Sequence, residues 1–251
     1  MSSGPAVHAR VTADPGLEAR GRDLAARLDL PFGAVPARVE LRWTAAGLGV
    51  RPASGPDAGA EPWTIDLGRS RPGAEAVVRA VRGRERAEGL RVVDGTAGLG
   101  GDAGALVRAG MRVVAIERDP LLAALLEDAL ERWRGVDPQA AARLTLWHGD
   151  ARDLLPAVRP PPDVVLLDPM FPAGGGGAKR RPAAWLRAWT GPRDEADEEA
   201  DRALLLAARR AARRRIVVKR PRKGPELAPG PTGRRQGTTV RFDLYPPLRT
   251  F

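Results

Sequence analysis

Residues 91–102 read RVVDGTAGLGGD. A short apolar run ends in an acid, Asp94, and a turn of small residues follows, with Gly95, Gly98, Gly100 and Gly101. Residues 103–110 then read as a helix. Strand, glycine turn and helix in this order make a βα unit. Its turn admits a ligand against the backbone, because glycine has no Cβ and tolerates positive φ. The first amides of the helix have no intrahelical partner and face whatever occupies the turn. Such a turn can also serve packing alone, so the rest of the chain decides its meaning.

Downstream, strands and helices alternate. Strands are predicted at 112–117 (RVVAIE), 144–148 (LTLWH), 163–168 (DVVLLD), 216–219 (IVVK) and 239–245. Helices are predicted at 120–134 and 196–214, with a short turn or helix at 151–158; the first carries Leu121, Leu122, Leu125, Leu126 and Leu130 at helical spacing. Near-continuous Val, Ile and Leu mark strands buried on both faces, as in a parallel sheet between helices. The fold class is therefore α/β, a doubly wound sheet. The connection 221–237 shows no clear strand, and the last strand could run antiparallel.

Upstream, a basic turn, GRSR at 68–71, leads into a helix predicted at 72–81 with Pro72 at its first turn. Residues 21–68 suggest a small α+β unit: a helix at 22–30, a hairpin from 39–43 and 48–51, a loop at 52–62 and a strand at 63–67. Residues 1–20 read as a loose arm. The expected division is a small N-terminal α+β subdomain at 1–68 and the main domain at 69–251.

The length of 251 residues and a hydrophobic fraction of 43% allow a sizeable core. With no cysteine, disulfides, thiolate zinc sites and cysteine nucleophiles are excluded, and no metal is expected. The start, MSSGPAVHAR, has no apolar run, and no segment approaches the roughly 20 apolar residues of a membrane span. A soluble, cytoplasmic protein with no membrane partner is expected. A net charge of +10 favours a polyanionic partner. Aromatic residues, at 4%, are too few for a sheet face that stacks successive single-stranded bases.

In an open α/β sheet, ligands bind outside the carboxyl ends of the strands. Four acids stand there: Asp94, Glu117, Asp150 and Asp168. Glu117, after the second strand, can accept both hydroxyl protons of a ribose. Asp150 is placed for an adenine amino group, and Asp94 for a cationic or amino group. The plainer alternative is that such acids cap helices, as Asp119 before Pro120 does in this reading. A dinucleotide would need its pyrophosphate on the helix start, where this chain has Asp102. S-adenosylmethionine, with a sulfonium, an amino group and no phosphate, suits the acids better.

The loop Asp168, Pro169, Met170, Phe171, Pro172 resembles the (Asp/Asn)-Pro-Pro-(Tyr/Phe) loop of methyltransferases acting on exocyclic amines. An aromatic amine is a poor nucleophile, its lone pair being delocalised into the ring. Hydrogen bonds from its N–H groups to the Asp168 carboxylate and the Pro169 carbonyl would make the nitrogen more pyramidal. Phe171 would stack on the flipped base. Catalysis of this kind is largely positioning.

DGTAGLGGD, AIERDP, LLDPMFP, VVKRP and RFDLY, in this order, resemble the RsmJ family, bacterial methyltransferases of guanine N2 in small-subunit (16S) ribosomal RNA. The resemblance covers 63–251 well and the first 60 residues loosely. It implies a Rossmann-like class I fold and S-adenosylmethionine contacts at Gly101, Asp102, Glu117, Arg118, Asp150, Ala151 and Asp168, beside Gly98 in the turn. It departs at Gly101, where the family often has Arg, and at Asp150 and Ala151, where it often has small hydroxyl residues. The loop 173–181 (AGGGGAKRR) could close over RNA, and Lys219 and Arg220 could meet phosphate or pair with an acid. Two other readings stand beside this one: methylation of an amine or amide in DNA or protein, and a nucleic-acid-binding protein with a degenerate cofactor pocket.

Overall fold

A computed structural model describes residues 7–169 and 195–248. Contacts divide the chain into two compact units, with the boundary after Ile65.

The first unit is a four-stranded sheet in the order β1-β2-β3-β4. β1 (Val7–Ala13) runs parallel to β2 (Ala37–Thr44), and β3 (Gly47–Pro52) and β4 (Trp63–Thr64) continue antiparallel. Helix α1 (Glu18–Leu28) joins β1 to β2. Residues 1–20 were expected as a loose arm, but they contain β1. The cause is visible in its period of two: Ala9 and Val11 are buried while Arg10 and Thr12 face the polar side. On that polar side lies Glu40, buried, which accepts hydrogen bonds from Arg10, Thr12 and Arg51. β4 is shorter than the strand expected at 63–67.

The second unit holds a seven-stranded sheet. Its strands are β5 (Arg91–Asp94), β6 (Arg112–Glu117), β7 (Leu144–His148), β8 (Val164–Leu167), β9 (Arg215–Pro221), β10 (Gly233–Gln236) and β11 (Val240–Tyr245), in the order β10-β11-β9-β8-β5-β6-β7. β5 to β9 pair in parallel, and β11 lies antiparallel between β9 and β10. The connection expected to lack a strand thus contains β10. Its residues GRRQ are mostly exposed, so backbone pairing at the sheet edge, which leaves no hydrophobic signature, makes this strand.

The helices here are α2 (Ala74–Arg82), α3 (Gly101–Arg108), α4 (Pro120–Val136), α5 (Pro138–Ala141), α6 (Ala151–Leu154) and α7 (Glu195–Ala211). Asp119 caps α4 as expected, its carboxylate accepting from the Leu121 and Leu122 amides, with Pro120 pre-set for the first turn. The leucine stripe of α4 is buried, at about 1.5–3 kcal/mol per side chain. Val93, Ile116, Val165, Leu167, Ile216 and Val218 form the sheet side of a core closed by Leu205 and Ala208 of α7. At the amino end of the sheet, Asp163 accepts the Arg91 amide and lies among Arg91, Arg213 and Arg214. That acid fastens the fold at the end opposite the carboxyl ends of the strands.

Candidate active site

β6 and β7 lie beyond β5 on one side, and β9 lies beyond β8 on the other. The carboxyl ends of β5 and β8 therefore flank the topological switch point, where an open α/β sheet holds its ligand. Asp94 and the glycine turn leave β5 there, and Asp168 with Pro169 leave β8. Two hydrogen bonds tie the segments together. The Gly95 amide donates to Leu166 O at 2.9 Å, and the Asp168 amide donates to Thr96 Oγ1 at 2.6 Å.

The glycines of the turn divide by task. A Cβ on Gly100 would lie 2.5 Å from Leu67 and 2.6 Å from Leu126, and one on Gly104 would lie 2.5 Å from Leu67 O. These two let α3 sit close against its neighbours. Gly98 differs: its φ is +53°, and a Cβ there would meet only Thr96 O, at 3.8 Å. The open space over Gly98 is where a ligand can approach the backbone.

Glu117 lies beside that opening. Its Oε2 accepts the Gly98 amide at 2.7 Å and its Oε1 the Asp119 amide at 2.9 Å. Burial pushes its carboxyl up. A carboxylate offers about four lone-pair sites, so both oxygens retain capacity for ribose hydroxyls. Asp94 is 1% exposed and accepts the Thr96 amide at 3.2 Å. Burial, then the charge of Asp102, pushes it up to about 8. A cation arriving beside Asp94 would favour its ionised form.

Lys219, from β9, joins the remaining two acids. Its Nζ donates to Asp102 Oδ2 at 2.9 Å and to Asp168 Oδ2 at 2.7 Å. Burial opposes the ammonium, but the two carboxylates outweigh it and hold Lys219 above its usual range. Burial likewise pushes the Asp168 carboxyl up, against the pull of Lys219. The Asp168 side chain is 31% exposed, so water shares in stabilising its charge and the contact remains an ion pair. Of the two roles expected for Lys219, pairing with an acid is the one observed. Arg220 turns away, its Nε donating to Pro225 O at 2.9 Å.

The other expected site residues are more dispersed in role. Asp150 caps α6 through the Arg152 amide at 2.8 Å and holds the Arg152 side chain at 2.7 Å, and that hydrogen bond keeps its carboxyl below the usual range. Ala151 is buried with its methyl near Gly95, so its backbone is the part available to a ligand. Arg118 is exposed, 3.8 Å from Asp197 of α7. Gly101 opens α3 with the Arg71 guanidinium over it. Pro169 is buried. Phe171 and the loop 173–181 lie outside the described residues. The sequence reading missed Thr96 and Arg71. A hydroxyl two residues after a strand-end acid was the available signal for the first, and the basic turn at 68–71 for the second.

The donor set fits S-adenosylmethionine: an open glycine, a buried acid that a cation would ionise, and an anchored glutamate with free lone pairs. Known proteins give the same answer. Residues 67–247 match the model of the family described as "Putative SAM-dependent methyltransferase". A curated ribosomal RNA small subunit methyltransferase J from Alkalilimnicola ehrlichii is 40% identical over 94% of this chain and 94% of its own. Its namesake from Thioalkalivibrio sulfidiphilus is 38% identical over 93% of this chain and 95% of its own. Among solved structures, a SAM-dependent methyltransferase from Neisseria gonorrhoeae superposes with a TM-score of 0.69 at 27% identity, covering 96% of this chain and 98% of that one. Matching fold, kinship over more than nine-tenths of the chain and a donor set that fits this cofactor agree, and the chain belongs to the ribosomal RNA small subunit methyltransferase J family of S-adenosylmethionine-dependent methyltransferases.

Proposed function

We propose that the chain transfers a methyl group to the exocyclic N2 amine of a guanine in small-subunit (16S) ribosomal RNA. The observation that carries this reading is the placement of Asp168 and Pro169 at the switch point, tied through Thr96 to the glycine turn. The substrate class follows the names of the curated relatives, and the net charge of +10 suits a phosphate-rich partner.

S-adenosylmethionine supplies the electrophilic methyl. Glu117 accepts the ribose hydroxyls, Asp94 and Asp102 face the cationic portion, and the backbone at Gly98, Gly101 and Ala151 lies against the ligand. Asp150 and Arg118 line the adenine end. Asp168 accepts one N–H of the guanine amine and the Pro169 carbonyl accepts the other. Both bonds turn the nitrogen lone pair out of conjugation, toward the methyl. Phe171 stacks on the base. Residues 69–251 form the catalytic domain and 1–68 a small N-terminal α+β subdomain. The protein works in the cytoplasm, and among the described residues no helix is long and apolar enough to cross a membrane.

The test is methyl transfer from labelled S-adenosylmethionine to small-subunit RNA or particles from cells lacking the modification, mapped by nuclease digestion and mass spectrometry. One methyl at guanine N2 is expected. Label in DNA or protein, or at another RNA atom, would replace this reading; no saturable cofactor binding would leave only a nucleic-acid-binding role.

A further inference from the structure

β9 ends at Pro221, two residues after Lys219, and the chain turns at Arg222 and Lys223 before it runs on to β10. Both side chains of this turn are exposed. A strand rises about 3.3 Å per residue, so Arg222 stands within about 10 Å of the Lys219 backbone, past the carboxyl edge of the sheet. β9 is the neighbour of β8, which delivers Asp168 and Pro169 to the same edge. The turn therefore borders the Asp168 side of the candidate site.

The cations just before the turn are engaged. Lys219 is held by Asp102 and Asp168, and Arg220 donates to Pro225 O. The acids around the turn are engaged as well. Glu226 pairs with Arg234, Asp243 pairs with Arg241, and the charge of Asp201 acts on Arg220. Arg222 and Lys223 remain, and among the described residues no hydrogen bond or ion pair holds either side chain.

The backbone of the turn is fixed from beneath. Arg241 of β11 is buried, and its Nη1 donates to Gly224 O at 2.6 Å and to Pro221 O and Arg222 O, both at 3.2 Å. Its Nη2 donates to Pro225 O at 3.1 Å. The buried Asp243 carboxylate holds that guanidinium at 2.9 and 3.0 Å. The Gly224 amide donates to Pro221 O and the Arg222 amide to Thr239 O. One arginine thus gathers four carbonyls of a short turn. The two cations are presented from a backbone already ordered, so an anion meets them at a lower entropic cost.

We propose that Arg222 and Lys223 bind phosphates of the RNA strand flanking the target guanine. The proposal rests on the reading of RNA as the substrate. A base drawn into the site brings its own backbone to the rim, where a guanidinium fork and an ammonium suit phosphate oxygens. The phosphate contact expected of Lys219 or Arg220 falls instead to the next two cations along the chain. Such contacts place the strand and carry no sequence information.

The experiment compares the wild type with Arg222→Ser/Lys223→Ser and with Arg84→Ser/Arg86→Ser. The second pair removes two exposed charges from the opposite edge of the sheet, on either side of Glu85, which pairs with Arg214 just before β9. Filter binding measures affinity for small-subunit ribosomal RNA from cells lacking the modification, over a series of salt concentrations. Calorimetry measures affinity for S-adenosylmethionine. The turn variant should bind the RNA about tenfold more weakly at about 0.1 M salt, and its slope of log affinity against log salt should shrink by about 1.5, at about 0.7–0.9 for each phosphate. Its cofactor affinity should match the wild type, which also reports an intact fold. The variant at the opposite edge should keep the wild-type slope. Wild-type RNA affinity and slope in the turn variant would overturn the proposal. So would an equal loss in both variants, which would make net charge the cause. The reading of RNA as substrate fails separately, if the wild type binds S-adenosylmethionine but shows no saturable binding of this RNA; the proposal then falls with it.

Discussion

Lys219 Nζ lies 2.7 Å from Asp168 Oδ2 and 2.9 Å from Asp102 Oδ2. One ammonium thus clamps the carboxylate after β8 to the carboxylate at the start of α3. The register explains why: Leu167 pairs with Val218 across β8 and β9, so Asp168, the first residue past β8, stands beside Lys219, which is still within β9. The clamp fixes where the Asp168 carboxylate stands before any substrate arrives.

Lys219→Met should separate positioning from cofactor binding. Two like-charged carboxylates lose their shared partner, costing about 2 kcal/mol in stability for a partly exposed cluster. Methyl transfer should fall tenfold or more as Asp168 loses its fixed place. Affinity for S-adenosylmethionine should fall less than turnover, because, of the proposed cofactor contacts, only Asp102 loses its partner. Urea denaturation, calorimetry and a turnover assay check the three parts.

Asp168→Ala should abolish methyl transfer while cofactor binding survives in part. The residue's proposed contact is to the amine, whereas Gly98, Glu117 and Asp94 are the proposed contacts to the cofactor. Near-wild-type turnover in a single-turnover assay would remove the positioning mechanism.

Asp94 sets a pH dependence. Its folded-state pKa is raised to about 8 by burial and by Asp102, against about 3.9 when unfolded. Between those values the folded protein holds a proton that the unfolded chain has released. Stability without cofactor should therefore fall as pH rises across that window and level off above about 8. Asp94→Asn should lose this slope. Urea unfolding of both proteins from pH 5 to 9 measures it, and parallel slopes would contradict the assignment.

Glu40 sets the opposite limb. Burial works against its charge, but hydrogen bonds from Arg10, Thr12 and Arg51 outweigh it and bring its pKa down to about 2. This contribution is present above the unfolded value of about 4.3 and is lost as pH falls toward 2. Glu40→Ala should cost about 3 kcal/mol at neutral pH by stranding its arginines and should flatten the acid limb of unfolding.

Gly98→Ala and Gly104→Ala should fail differently. A methyl at 98 enters open space at a φ of +53°, so strain of about 1–2 kcal/mol and weaker cofactor binding are expected. A methyl at 104 would stand 2.5 Å from Leu67 O, so stability should drop by about 1–3 kcal/mol with cofactor affinity per folded molecule little changed. Calorimetry beside urea midpoints distinguishes the two.

The sequence by itself determined the doubly wound sheet, because buried parallel strands need unbroken Val and Ile runs and helices need a leucine stripe. It placed Asp94, Glu117 and Asp168 at strand ends, since strand termini are local features. β1 was missed because its alternating small residues stand in a Pro- and Gly-rich stretch, and β10 because edge pairing is made by the backbone and leaves polar side chains in water. Tertiary structure alone decided the partners. Asp102 reads as an acid at a helix start facing the ligand, but the lysine that pairs with it lies 117 positions along the chain. Asp150 reads as a ligand contact, but a side chain two residues on holds its carboxylate. Arg71 reads only as part of a basic turn, yet its guanidinium lies across Gly101. Charge pairing acts through space over a few ångströms, and only the folded sheet brings those distances about.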